Sequence, residues 1–177
     1  MCPMVRRPPG MALALLGFLQ NGPQHGYQIH RMLSDPAALG LIWKVKQSQL
    51  YALLSRLEKD GYVIGTFQNQ DPHPPRRVIE LTEFGREGFS RWLTEPVKAP
   101  YLVRQEFMAK MYFAQKESAE KVQLLVENQR AVCTQWVDKL TEQAKTSELA
   151  SFRWNMYQYR LGQIAALRNW LESLSRL

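Results

Sequence analysis

The segment Lys46–Asp60 constrains the fold more than any other part of this 177-residue chain. Leu50, Leu53, Leu54 and Leu57 recur at helical spacing and form a narrow apolar stripe. The remaining faces carry Lys46, Gln47, Ser48, Gln49, Tyr51, Ser55 and Arg56, and Gly61 follows as a C-terminal stop. Such a helix must be held from behind by its leucines while its polar side stays outward. Proline and glycine punctuate the chain around it. Met11–Gln20 reads as a short apolar helix stopped by Asn21-Gly22-Pro23. His25-Gly26-Tyr27 opens a second helix with Ile29, Met32 and Leu33 on one face, and Ser34-Asp35-Pro36 ends it. Beyond the leucine helix, Tyr62–Phe67 and Arg76–Leu81 are β-prone. The turn-rich stretch Gln68–Pro75 lies between them, so a β-hairpin is expected. Thr82 then caps a helix with Glu83 in its first turn and Phe89, Trp92 and Leu93 on its apolar face.

Pro96 and Pro100 mark a linker, after which the chain has no proline and Gly162 as its one glycine. A short helix is expected near Gln105–Ala114, carrying Met108, Met111 and Tyr112, then long helices from about Lys116 to Lys145 and near Ser147–Leu174. In the first long helix Val122, Val126, Gln129, Cys133, Trp136 and Leu140 step by four and three, a heptad-like seam with one polar member. Each rod would span about 40–45 Å, too elongated to cover the other fully beside a small domain. Val122, Val126, Cys133, Trp136 and Leu140, with Ile164, Leu167 and Leu171 of the second rod, are therefore expected to pack against a second copy of the chain. Trp136, Trp154 and Tyr157 are aromatic enough to line a small-ligand pocket, although aromatics at helical spacing more often form a core or an interface. The plan is a flexible leader over residues 1–10, one domain over 11–95, a linker over 96–104 and a helical dimerisation region over 105–177.

Composition removes several classes of function. The net charge is +7 with a pI near 9.6, which favours polyanions only weakly. It is also evenly spread: residues 1–95 hold 11 basic and 8 acidic groups, and residues 96–177 hold 12 and 8. Cys2 and Cys133 neither staple a fold nor form a zinc motif, which fits a reduced cytoplasm. His25 and His30 are five apart and share no helical face, so no metal or other cofactor is expected. The start imitates a signal peptide but lacks a small-x-small cleavage site, and no run approaches the ~20 apolar residues of a membrane span. A cytoplasmic protein is expected. There is no Gly-x-Ser-x-Gly elbow, phosphate-binding loop or dinucleotide fingerprint, so an enzyme is not expected.

The order helix, helix, helix, hairpin, helix over residues 11–95 is that of a winged helix-turn-helix. The whole is a mainly α protein with a small β-hairpin wing and a helical tail. A helix fits the major groove and presents donors and acceptors to base edges. On the leucine helix Gln47, Ser48, Gln49 and Ser55 are the candidates, with Lys44 and Lys46 suited to phosphates. Tyr51 either touches a phosphate or packs under the wing. Arg76 and Arg77 at the base of the wing and His73 at its tip can reach phosphates or a narrow minor groove. His25 and Tyr27 at the start of the second helix join this set. A winged helix can instead bind protein; exposed apolar residues on the same face would mark that use.

These residues also carry a resemblance. Trp43-Lys-Val-Lys-Gln-Ser-Gln-Leu-Tyr51-Ala-Leu-Leu-Ser-Arg-Leu57-Glu-Lys-Asp-Gly61-Tyr-Val63 is similar to the signature of phenolic-acid-decarboxylase regulators, the PadR family. His25-Gly26-Tyr27, Pro74-Pro-Arg-Arg-Val-Ile-Glu-Leu-Thr-Glu-Phe-Gly85 and Trp92-Leu93 resemble further pieces of it, in order, and the long tail resembles the dimerisation region of its larger members. Three positions depart from the pattern: Ala52 replaces a common proline, Ile79 a common aromatic, and Lys46 a Ser or Thr cap. The resemblance implies a homodimeric transcription factor on a pseudo-palindromic operator, its reading helices ~34 Å apart. Most members are repressors released by a small molecule, often aromatic or drug-like, and virulence-activator-like members are the other type.

Overall fold

The apolar run near the amino terminus becomes the centre of the first domain. The computed structural model describes residues 10–70 and 73–174, with residues 68–70 and 73–75 described by backbone alone. The leader expected over residues 1–10 lies outside them, except that Gly10 already opens helix α1 (Gly10–Leu13). The chain then tightens into a 3-10 turn over Ala14–Leu19 in place of a continuous helix. Ala12, Leu15, Leu16 and Leu19 are all buried there, and Gly17 lies against the Phe113 ring. Tertiary packing, not helix propensity, holds this tight turn.

Around this floor stand α2 (Gly26–Leu33), α3 (Gln47–Lys59) and α4 (Glu83–Thr94). Leu50, Leu54 and Leu57 are buried and Leu53 is half-buried, so the stripe seats α3 as its spacing requires. Gly61 ends the helix at φ +80°, in the left-handed region that glycine enters without a Cβ penalty. Its N–H donates to the Glu58 carbonyl at 3.0 Å, and the Tyr62 N–H donates to that of Leu57 at 2.8 Å. Thr82 joins this turn to α4: its hydroxyl donates to the Gly61 carbonyl at 2.7 Å and accepts from the Gly85 N–H at 3.0 Å.

Strands β1 (Gln24–His25), β2 (Val63–Gln70) and β3 (His73–Leu81) form an antiparallel sheet in the order β1-β3-β2. Val63 lies opposite Leu81 and Phe67 opposite Arg77, with a register shift between Gln68 and Gln70. The hairpin is longer than the sequence reading expects, because both strands run into the segment read as loop. Pro74 and Pro75 are admitted because β1 pairs with β3 only at Val78 and Ile79, so the missing N–H groups interrupt no ladder on that side.

Past α4, a 3-10 turn (Pro100–Leu102) and a π turn (Val103–Phe107) lead into α5 (Met108–Glu117), α6 (Ala119–Lys145) and α7 (Phe152–Leu174). Two expected boundaries move. Ser118 is extended at φ −168° and caps α6 by accepting from the Lys121 N–H at 3.3 Å, so the long helix starts there and not at Lys116. Residues 147–151 form turns in place of a first helical turn, with Ala150 at φ +60° and the Ser151 hydroxyl accepting from the Trp154 N–H at 3.2 Å.

The seam of α6 closes onto α7 of the same chain. Val126, Cys133, Ile164 and Leu171 are buried there, while Val122, Trp136, Leu140 and Leu167 are half-buried against that cluster. Of the eight residues expected to meet a second copy, Val126, Cys133, Ile164 and Leu171 are thus covered within the chain, while Val122, Trp136, Leu140 and Leu167 keep exposed surface. Gln129, the polar member, is wholly buried because its Oε1 accepts the Val97 N–H at 2.8 Å. Gly61→Ala should lower stability by about 1–2 kcal/mol through left-handed strain alone, read as a drop in the urea midpoint with an unchanged slope.

Candidate nucleic-acid interface

Beside the buried leucines, Gln47, Tyr51 and Ser55 recur every four residues and make an exposed stripe along α3. Lys44, Lys46 and Ser48 are exposed beside its first turn. Gln49 is exposed too, but its side chain turns back: Oε1 accepts the Lys46 N–H at 3.1 Å. Gln28 does the same for α2, accepting the His25 N–H at 2.8 Å. Each glutamine supplies the carboxamide half of a capping box, which is how α3 starts cleanly behind Lys46, a residue with no acceptor to offer. Gln49 therefore serves its own helix, whereas Gln47 and Ser48 project outward.

Tyr51 is part packed and part open. Its ring crosses the backbone of Gly26, where an added Cβ would come within 2.6 Å of it, yet the residue remains 41% exposed. Beside it opens a cleft of about 570 Å³ between the start of α2, α3 and the wing, bordered by Tyr27, Tyr51, Arg76 and Arg77. His25 stacks on Tyr27 with ring centroids 5.7 Å apart, and its Nδ1–H donates to the Arg77 carbonyl at 3.2 Å. The tyrosine hydroxyls and the exposed Arg76 are donors suited to a polyanion backbone.

Arg77 differs from its neighbour. Its guanidinium pairs with Glu58 near the end of α3, and Glu58 also accepts the Gly65 N–H at 3.0 Å. This pins the wing to α3, with the Arg77 side chain still partly exposed. The Arg77 hydrogen bond holds the Glu58 carboxyl below the usual glutamate range, against the opposing pull of burial. His73 has its backbone in β3, and its side chain lies outside the described residues.

Of the aromatic trio in the tail, Tyr157 is buried and Trp154 half-buried near the start of α7. Trp136 borders a separate cleft of about 450 Å³ beside Pro96, Val97, Val132 and Gln135. Burial pushes the Cys133 thiol up, the reverse of what a reactive thiolate needs. Among the described residues, no group of three or more His, Cys, Asp or Glu could hold a metal, and no helix is long and apolar enough to cross a membrane.

A leucine-backed helix with a polar outer stripe, a helix start and a wing bordering the same cleft define a winged helix-turn-helix domain. Residues 15–91 match the model of the transcriptional regulator PadR-like family. It is 30% identical over 116 residues to the negative transcriptional regulator PadR of Bacillus subtilis, covering 66% of this chain and 63% of that protein. It is 27% identical over 84 residues to the probable transcriptional regulator Rv1176c of Mycobacterium tuberculosis, covering 48% and 43%. The matches thus span less than two thirds of either curated relative. A crystal structure of Bacillus subtilis PadR in complex with operator DNA aligns with 24% identity and a TM-score of 0.49, covering 97% of this chain and all of that one.

The Glu58–Arg77 pair stabilises the fold while Glu58 is ionised. Its contribution is complete above the ordinary glutamate range and is lost as acidification passes the lowered value. Glu58→Ala removes both acceptor oxygens, so it should flatten the fall in stability below the ordinary glutamate range, and it should speed amide exchange at Gly65. Wild-type exchange at Gly65 in that variant would refute the pinning role.

Proposed function

We propose that the protein is a DNA-binding transcriptional regulator that acts as a homodimer on a pseudo-palindromic operator. The observation that carries this reading is the stripe Gln47, Tyr51 and Ser55 on α3, exposed beside the basic and tyrosine-lined cleft under the wing. Gln47 pairs bidentately with adenine in the major groove, and Ser48 accepts either partner. Lys44, Lys46 and Arg76 take phosphates, as do the hydroxyls of Tyr27 and Tyr51, and so fix the register. Arg77 acts one step back by holding the wing in place. The amides, hydroxyls and lysines exposed along α3 favour DNA over a protein partner.

Repression is the sign of regulation we propose, in keeping with the description of the Bacillus subtilis relative as a negative regulator. The effector class proposed is a small aromatic molecule, to which the cleft beside Trp136 offers an aromatic wall next to the linker. A ligand there releases DNA only by favouring the dimer arrangement that does not fit the operator.

The test is a gel shift on DNA upstream of the protein's own gene at several salt concentrations. Specific binding should exceed binding to random DNA by ~10³-fold or more. Gln47→Ala should cost about 1–3 kcal/mol on the operator and relax preference at one base step. Arg76→Ala should weaken binding on all sequences and reduce the salt slope by about one charge, while Lys44→Ala does likewise. Equal affinity for operator and random DNA would shift the assignment to a protein-binding winged helix.

A further inference from the structure

Lys110 is buried to 1% exposure among Phe107, Ala109, Met111 and Phe113. An ammonium in such a place is costly unless its charge and its three donors are met. They are met by the end of α4. Nζ donates to the carbonyls of Trp92 and Glu95, the latter at 2.9 Å, and lies 3.6 Å from Glu106 Oε1. It sits 4.7 Å from the centroid of the Trp92 ring, whose Nε1–H donates to the same Glu106 oxygen at 3.2 Å. The last carbonyls of a helix have no intrahelical donor, so α5 supplies one from a side chain.

Helix α6 completes the hold. Asn128 Nδ2 donates to the Thr94 carbonyl at 2.9 Å, and Gln129 Oε1 accepts the Val97 N–H at 2.8 Å. The backbone by which the chain leaves the winged domain, residues 92–97, is thus held by side chains of α5 and α6.

We propose that Lys110 is a positioning residue for operator binding: by fixing the exit of α4 on α5 it sets the angle between the reading helix and the C-terminal helices, and so the spacing at which two heads meet a duplex. The inference rests on the reading of the protein as a dimer on a two-half-site operator. Lys110 itself lies in the core and touches no DNA.

The charged and titratable groups around Nζ are Glu106 from the π turn, Glu95 and Lys98 from the exit segment, Arg91 from α4 and Tyr62 from the sheet side, all bordering one cavity of about 220 Å³. From α1 the cavity meets Gly10 and Leu13, and α6 brings the neutral amides of Asn128 and Gln129. Burial lowers the Lys110 ammonium to about 8, with Glu106 and Glu95 opposing the shift. A lysine freed from the core returns to its higher ordinary value, so the docked arrangement binds fewer protons and gains as pH rises through this range.

Full-length wild type, Lys110→Met and Asn128→Ala are titrated by fluorescence anisotropy against the operator, the operator with its centre lengthened by two base pairs, and a single half-site. The wild type should prefer the natural spacing. Lys110→Met should bind the operator roughly 10-fold or more weakly, keep half-site affinity within about 2-fold, and lose most of the spacing preference, because misaligned heads forfeit simultaneous engagement. Asn128→Ala should shift the same ratio in the same direction by less, and it carries the test if Lys110→Met fails to fold. The wild-type ratio of operator to lengthened operator should rise from about pH 7 to pH 9 and stay flat in Lys110→Met. A wild-type spacing preference in both variants overturns the proposal, as does equal loss on half-site and operator. Wild-type protein that fails to distinguish operator from random DNA overturns the functional reading beneath it, a separate and recognisable result.

Discussion

Burial of Leu50, Leu54 and Leu57 decides which side of α3 the outside world meets. Three leucines removed from water contribute several kcal/mol, far more than any rotation of the helix would recover by hiding its amides. The direction of Gln47, Ser48, Tyr51 and Ser55 is therefore set by the buried face of the same helix. The rest of the first domain serves that seat. The tight turn Ala14–Leu19 provides its floor, Gly61 ends the helix, and Thr82 binds that end to the start of α4.

The order of elements was legible because it depends on periodicity and on proline, glycine and threonine at boundaries, all local properties. The boundaries that moved are also local, but they rest on serines that read equally well as helix interior: Ser118 and Ser151 each cap a helix in the structure. The site was legible in outline only. Arg76 and Arg77 are adjacent, chemically identical and both exposed, yet Arg77 is paired with Glu58, nineteen positions away. No pattern along the chain announces a pair so distant. Lys110 did leave a trace, as a lone lysine in the otherwise apolar run Phe107–Ala114, but the groups that meet its charge are carbonyls, which a sequence does not distinguish. The seam of α6 was legible as a seam; its partner was not, since the same spacing serves a helix of this chain or of another.

The junction between the two regions is polar where a core would ordinarily be greasy. Lys110, Asn128 and Gln129 each address a backbone group of the segment leaving α4. Such bonds are directional, and a buried group left without its partner costs more than the bond gains when made. A sliding apolar contact tolerates small rotations; this one does not. A junction held this way resists gradual rotation, and an element of that kind is one that an effector can bias.

The clamp of Arg77 on Glu58 has a consequence for how a duplex would be gauged. With the wing and α3 fixed to one another, the proposed DNA-binding face would act as a caliper of set opening, one jaw in the major groove and the other over the neighbouring minor groove. Segments whose minor groove is already narrow fit without bending, and stiffer or wider ones must be deformed at a cost that depends on their base steps. Selectivity would then extend to base pairs that no side chain reaches, written in the curvature and compliance of the helix itself.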